Sequence, residues 1–274
     1  MSQHSLDLSI IIVSHGHEHF LHDCVHSLPQ ALLDLQAEVI LVDNLGADRL
    51  PGVIGQAELP VTFWANRSPQ GFAQNMNQAA RHSHGRYLLL LNPDTCLLSG
   101  SLADALAFME RDRTVGVVGC KLVNPDGSLQ VNYRRFPTLP AIITRGLYTE
   151  KWLRLPQFYR QYLMVNERFD SLTPVDWVLG AFMLVSKQHF EMVGGMDERF
   201  FLYYEDIDLC YRLRQRGLNT YYFPGIEVMH HHLRTSAANP LGPHWRWHVQ
   251  SVCRYFWKHQ YLFRPWTGYG THVS

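Results

Sequence analysis

No glycine-rich G-x-G-x-x-G run opens the first helix of this chain, and no G-x-x-x-x-G-K-S/T occurs anywhere in it. Both absences disfavour classical dinucleotide binding and a phosphate-cradling NTPase loop, so a nucleotide here would need a metal to hold its phosphates. Neither charge sign is in excess: Lys plus Arg and Asp plus Glu count 24 each, and nothing in the net charge steers the chain to nucleic acid. Cysteine is sparse. Its five positions, Cys24, Cys96, Cys120, Cys210 and Cys253, are odd in number and include no C-x-x-C pair. That argues against a zinc ribbon or a disulfide framework and for reduced thiols in a cytoplasmic setting. No apolar run approaches the ~20 residues of a membrane span, and the polar stretch 1–8 does not read as a signal peptide. Histidine alone is unusually frequent, at 16, which makes the charge sensitive to mild acid. The expectation is a soluble globular protein, and 274 residues suffice for a substantial core.

The stretch Tyr87-Leu88-Leu89-Leu90-Leu91-Asn92-Pro93-Asp94-Thr95 organises the rest. Five residues of nearly pure hydrocarbon predict a strand buried on both faces, as in the middle of a parallel sheet. Pro93 cannot donate to a ladder, so the strand ends there. Asp94 then lies just past the carboxyl end of a central strand, where open α/β sheets place their ligands. With the side-chain oxygen of Asn92 it offers hard ligands to magnesium or manganese. The same three residues, Asn, Pro and Asp, are equally good turn formers.

Strands are predicted over 8–13 and 38–42 with a helix through Phe20, Leu21, Cys24, Val25 and Leu28 between them, a right-handed βαβ unit that brings both strand ends to one edge. Asp43, at the end of the second strand, suits a nucleotide's ribose or base, or is simply a solvated loop carboxylate. A strand at 61–64 precedes a helix over 72–82, whose amides Gln74, Asn75, Asn77 and Gln78 either orient a ligand or form its wet face; Gly85 is expected as its left-handed cap. A helix over 101–111 capped by Ser101, a strand over 115–119 and a turn at Asn124-Pro125-Asp126-Gly127 follow. Periodicity fades over 130–172, which reads as a lid or substrate-facing segment. One strand is predicted over 174–185, broken at Gly180 by a bulge or a close backbone approach to ligand. Beyond a short helix at 187–193, the apolar run 200–204 leads into a helix beginning Glu205-Asp206-Ile207-Asp208. Acids there stabilise a helix start, and the apolar wall before them also shapes a pocket in which the helix terminus would keep a carboxylate ionised and ready to accept a proton. Of His230-His231-His232 only some can face one ion, because extended side chains alternate; His230 most simply joins Asp94. The aromatic, basic helix over 245–258 fits either a cover over the core or a contact with a membrane surface, its charge being modest for the latter.

Read in order, Ser9-Ile10-Ile11-Ile12-Val13, Val42-Asp43-Asn44, Gly71-Phe72-Ala73 with Asn77, Leu91-Asn92-Pro93-Asp94-Thr95, Asp176-Trp177 with Gly180-Ala181, Asp197-Glu198-Arg199-Phe200-Phe201, Glu205-Asp206-x-Asp208-Leu209 and His230 resemble glycosyltransferase family 2, and most of all its rhamnosyltransferase-like branch. The resemblance runs over about 8–259. It implies an α/β, A-type glycosyltransferase (Rossmann-like) fold with a mixed, mostly parallel central sheet flanked by helices. It also implies a single domain over 1–274: a nucleotide-sugar half at 8–120, an acceptor and catalytic half at 121–235, and a helical extension at 236–274. It implies roles too: Ser14, Asp43, Asn44, Gly71, Phe72, Asn77 and Asn92 toward the donor, Asp94 and His230 toward Mg2+ or Mn2+, and Asp176, Trp177 and Gly180 toward sugar or acceptor. Asp206, with Glu205, stands at the catalytic base. The implied reaction is an inverting transfer from a UDP- or dTDP-sugar, rhamnose among the candidates, to a glycan or lipid-linked acceptor in cell-surface polysaccharide synthesis. Peripheral association with the cytoplasmic face of a membrane and oligomer formation are both compatible with it. The chain departs from the family at His15-Gly16, at Leu45-Gly46-Ala47-Asp48 and at Ser68-Pro69-Gln70-Gly71, all three near the expected nucleotide. Those altered loops motivate an alternative, a non-catalytic sugar-nucleotide-binding scaffold in a synthase complex. A nucleotidyltransferase would need a glycine-rich, Lys/Arg-bearing loop after the first strand, and Ser14-His15-Gly16-His17 lacks one.

Overall fold

The computed structural model describes residues 6–32, 35–46, 50, 52, 59–147, 155–165, 167, 170–231 and 242–260. Parts of the expected lid and extension, and His232, lie outside these residues. Strands β1 (Leu8–Ser14), β2 (Ala37–Asp43), β3 (Val61–Ala65) and β4 (Tyr87–Leu91) form a parallel block in the order β3-β2-β1-β4. Next come β5 (Thr95–Ser99), β6 (Val115–Val123), β7 (Leu129–Gln130), β8 (Tyr133–Arg134), β9 (Thr173–Val175), β10 (Trp177–Val178), β11 (Phe182–Ser186) and β12 (Asn219–His230). The sheet continues β4-β11-β6-β12-β5, with β7 on β6 and β9 on β12, while β8 and β10 pair separately. β11 is antiparallel to both β4 and β6, and β12 is parallel to β6. Six of the ten strands therefore run one way, giving the mixed, mostly parallel α/β sheet expected.

Alternation along the central strands sends side chains to two cores. Ile10, Ile12, Leu89 and Leu91 meet Leu21, Cys24 and Val25 of α1 (Glu18–His26), while Ile11, Val13, Leu88 and Leu90 meet Ala73, Met76, Ala79 and Ala80 of α2 (Phe72–His82). Continuous apolar runs are what a sheet covered on both faces requires. The first core is completed by α3 (Leu102–Arg111), whose cap Ser101 Oγ accepts the Asp104 N–H as expected. Next along the chain lie α4 (Leu139–Leu147), α5 (Gln157–Leu163) and α6 (Lys187–Met192). The second core takes in α7 (Glu205–Arg214) and α8 (Pro243–His259). Among the described residues no helix is long and apolar enough to cross a membrane.

Three expectations change, and one strand goes unannounced. The run at 174–185 is three strands rather than one, because Trp177-Val178 turns away to pair with Tyr133-Arg134. The segment 95–99, too short and mixed to announce itself, is strand β5. The irregular stretch 130–172 carries the helices α4 and α5. Gly85 is not a left-handed cap: Ser83 ends α2, and Gly85 is small because the backbone of β1 passes against it. A Cβ there would sit 2.4 Å from the Ser9 nitrogen. Gly85→Ala is therefore expected to lower the unfolding free energy by about 1–3 kcal/mol, read from urea denaturation, through forced displacement of β1.

Candidate active site

The carboxyl ends of β1, β2, β4 and β12 open on one edge, and each supplies a polar side chain there. Thr95 follows Asp94 directly, and β5 runs back across this edge to pair Thr95 with His230. The His231 N–H donates to the Asp94 carbonyl at 3.0 Å, and His230 Nε2 lies 3.4 Å from Asp94 Oδ1. Both side chains are almost wholly buried. Burial pulls the Asp94 carboxyl upward, but the hydrogen bond and charge of His230, with His17 nearby, outweigh it and hold the group below its usual range. Asp94 is thus a standing anion.

Gln130 decides which face His230 shows. Its amide nitrogen donates to Asn124 Oδ1 (2.9 Å) and to the His230 carbonyl (3.4 Å), so its oxygen is left to accept from His230 Nδ1 at 2.7 Å. Nε2 is then the nitrogen left to face Asp94, where it gives the carboxylate its hydrogen bond in the metal-free protein and would turn a lone pair to a bound cation. One carboxylate oxygen and one imidazole nitrogen fit a divalent cation. Among the described residues no set of three or more His, Cys, Asp or Glu gathers to hold a metal. Nothing in the irregular stretch around Gln130 marks it in the sequence.

Asn92 ties this centre to the second one. Its N–H donates to the Ala181 carbonyl (3.0 Å), and the adjacent Gly180 N–H donates to Asp206 Oδ2 (3.0 Å). Asp206 Oδ1 also accepts the Ile207 N–H at 2.8 Å. Glu205 and Asp206 are each 6% exposed, and Glu205 Oε2 has no hydrogen-bond partner among the described residues. Here burial outweighs the helix terminus, contrary to the expectation of a standing carboxylate. Burial, then the charge of Asp206, drives Glu205 well above its ordinary range; burial raises Asp206 too, opposed by the Gly180 and Ile207 N–H groups. Tyr203 and Tyr204, just before the helix, take positive φ of 70° and 69°. Such conformations cost about 1–3 kcal/mol each and collect at functional sites. α8 holds them: Tyr204 packs on His248 and Tyr255, Tyr203 reaches His244, and Ser251 Oγ donates to the Leu202 carbonyl.

On the donor side, Asp43 Oδ1 accepts the N–H groups of Leu45 and Gly46, and Ser14 Oγ accepts the His17 N–H. Asn44 is fully engaged within the protein. Its oxygen accepts from Asn66, Asn75 and the Gln70 N–H, and its nitrogen donates to the Gln70 carbonyl and meets His15 Nδ1 at 3.1 Å. It therefore sets the shape of the loops after β1, β2 and β3, and two of the three departures from the family, at His15 and at Gln70, are part of that knot. Asn75 belonged to a recognisable amide cluster, whereas Asn66 had no signal. Asn77 points about 200° round α2 from Asn75 and binds the Met196 backbone and Glu198 instead, outside this knot. Gly71 and Phe72 lie against Phe201, whose carbonyl accepts the Phe72 N–H at 2.9 Å. Asp176 accepts the Phe136 N–H and Trp177 Nε1 donates to the Arg135 carbonyl, so this pair anchors the 135–136 segment.

An open α/β sheet with a charged Asp–His pair at a central strand end and a buried carboxylate pair beside it defines a nucleotide-sugar transferase of A-type architecture. The glycosyl transferase family 2 pattern matches residues 9–171, and one described as the N-terminal domain of galactosyltransferase matches residues 160–234. Rhamnosyltransferase WbbL of Escherichia coli is 30% identical over 90% of this chain and 91% of its own. The N-acetylglucosaminyl-diphospho-decaprenol L-rhamnosyltransferase of Mycobacterium tuberculosis is 31% identical over 74% of this chain and 69% of its own. In fold, the chain resembles GalNAc-T7 with UDP, GalNAc and Mn2+ (TM-score 0.62, 20% identity, 84% of this chain and 44% of that one). It also resembles the Pyrobaculum calidifontis mannosyltransferase PcManGT with GDP-Man and Mn2+ (0.59, 17%, 94% and 65%). The chain belongs to glycosyl transferase family 2 and is a glycosyltransferase.

A carboxyl raised in the folded state binds its proton more tightly there than in the unfolded chain, so stability falls as pH rises from the ordinary carboxylate range through the raised folded value. Glu205→Gln removes that titrating group. It is expected to raise the unfolding free energy at neutral pH by about 0.5–2 kcal/mol and to flatten the decline above the carboxylate range in urea titrations across pH.

Proposed function

We propose that this enzyme is a metal-dependent inverting glycosyltransferase that moves rhamnose from a UDP- or dTDP-sugar to a hydroxyl of a lipid-linked glycan. The sugar and acceptor rest on the two relatives, one a rhamnosyltransferase and the other named for an N-acetylglucosaminyl-diphospho-decaprenol acceptor. The carrying observation is the backbone link Asp206–Gly180-Ala181–Asn92, which sets a proton-hungry carboxylate beside the Asp94–His230 pair.

Asp43 and the Asn44 knot shape the donor pocket, and Asp94 and His230 would hold Mg2+ or Mn2+. When bound, the cation supplies neutralisation of the charge that builds on the departing diphosphate. Asp206 removes the acceptor hydroxyl proton as that oxygen bonds to the anomeric carbon and the bond to diphosphate breaks on the opposite face. One displacement inverts configuration and needs no enzyme nucleophile. A carboxylate whose proton affinity is raised toward the working pH is a better base than an ordinary one. Glu205, kept protonated by the same burial, stays uncharged beside it and avoids a second anion.

Asp206→Asn should lower kcat by about 10²–10⁴-fold with donor affinity nearly kept, measured by release of nucleoside diphosphate and by calorimetry; retained turnover would remove Asp206 from its role. Because the described residues bring only Asp94 and His230 to the cation, Mn2+ alone should barely move Tm, whereas Mn2+ with UDP or dTDP should raise it by several degrees. That synergy should vanish in Asp94→Asn. Equal stabilisation by Mn2+ with and without nucleotide would contradict a shared site, and donor binding without turnover across a panel of acceptors would favour the scaffold.

A further inference from the structure

The outer face of α8 belongs to no site described so far. Trp245, Val249, Cys253 and Trp257 recur every four residues and are all exposed, Trp245 by 43% and Trp257 by 76%. Such spacing lays them in one stripe along the helix. Arg246 and Arg254 flank the stripe, exposed and without an ion pair among the described residues. The opposite face, with Ser251, Tyr255 and Phe256, is buried against the body. Pro243–His259 contains no acidic residue, and its other cations turn inward: Lys258 donates to Asp197 and Asp208, and His259 meets Asp208.

We infer that this face docks on an anionic phospholipid bilayer, the indoles entering the headgroup boundary and Arg246 and Arg254 meeting lipid phosphates. Indole and guanidinium side by side, with no carboxylate among them, suit that interface and ill suit a second copy of the chain. A two-fold contact would bring the same arginines together with no acid to offset them. The inner face of α8 clamps residues 201–204, so a docked helix holds Glu205 and Asp206 within roughly one to two helix diameters of the lipid. That proximity gives a lipid-linked acceptor a short path to the base; this consequence rests on the acceptor proposed above, whereas docking itself does not.

Co-sedimentation of the full chain with phosphatidylcholine vesicles, with and without phosphatidylglycerol, tests the inference. Binding should favour the anionic vesicles and weaken with added salt. Trp245→Ser/Trp257→Ser should reduce partitioning by at least about tenfold. Arg246→Glu/Arg254→Glu, whose exposed positions leave folding intact, should lose about as much and abolish the preference for anionic lipid. Hydrolysis of the donor in solution should be unchanged in both variants. Absent binding by the parent protein would overturn the inference, as would variants that bind like the parent. A tryptophan variant that turned a dimer into a monomer while still binding vesicles would also overturn it, by making the face a self-contact. Vesicle binding by a protein that transfers no sugar would support docking and fault only the acceptor reading.

Discussion

The pairing of Thr95 with His230 is the contact on which the site depends. Asp94 lies at the end of β4 and His230 at the end of β12, and β11 and β6 separate those strands in the sheet. At about 4.8 Å per strand they would stand too far apart to share an ion. β5 removes the gap by leaving β4 through the Asn92-Pro93-Asp94 turn and adding itself to the outer edge of β12. The buried imidazole then has a carboxylate on one side and Gln130 on the other, which fixes both its position and its tautomer.

Two carboxylate centres with opposite electrostatics follow. Asp94 is buried but paired, and it stays an anion suited to a cation. Glu205 and Asp206 are buried beside each other with only backbone N–H groups to offset the cost, which raises the proton affinity of Asp206 and drives that of Glu205 well above its ordinary range. Environments that push carboxyl groups apart in this way divide roles between residues of the same type. Close by, α8 packs over the strained Tyr203-Tyr204 turn that leads into α7. Asp208 sits on the same helix but has a different task. His259, Arg212 and Lys258 overcome its burial and hold it charged, locking α8 to α7.

The loops proposed to shape the donor pocket are tied together by amides rather than charges. Asn44, Asn66 and Asn75 saturate one another and the Gln70 backbone, so the loops after three parallel strands are held at fixed spacing. Gly46, at φ 67°, passes so near the Asn66 carbonyl that a Cβ would lie 2.4 Å from it. His15 and the Gln70 backbone, at two places where the family ordinarily carries other residues, both bond to Asn44 and so join this knot.

Much was legible in the chain itself because it follows from local periodicity. Continuous hydrocarbon in 8–13, 38–42 and 87–91 specifies strands covered on both faces, and 72–82 specifies a helix to the residue. The strand–helix–strand order sufficed to bring Asp43 to the edge where the first strand ends, since parallel strands joined by a right-handed crossover end together; Asp94 followed from the end of its own strand, whereas Asp206 and His230 were grouped with them by the family resemblance. Tertiary structure alone decided the rest. Partition of 174–185 into three strands, the course of β5, Gln130 behind His230 and the part played by Gly85 all arise from contacts between residues far apart in the chain. The state of Glu205 and Asp206 is the clearest instance. A helix start favours a carboxylate and can be read locally, but the burial that overrides it is a property of the folded surroundings, with no signature in the residues themselves.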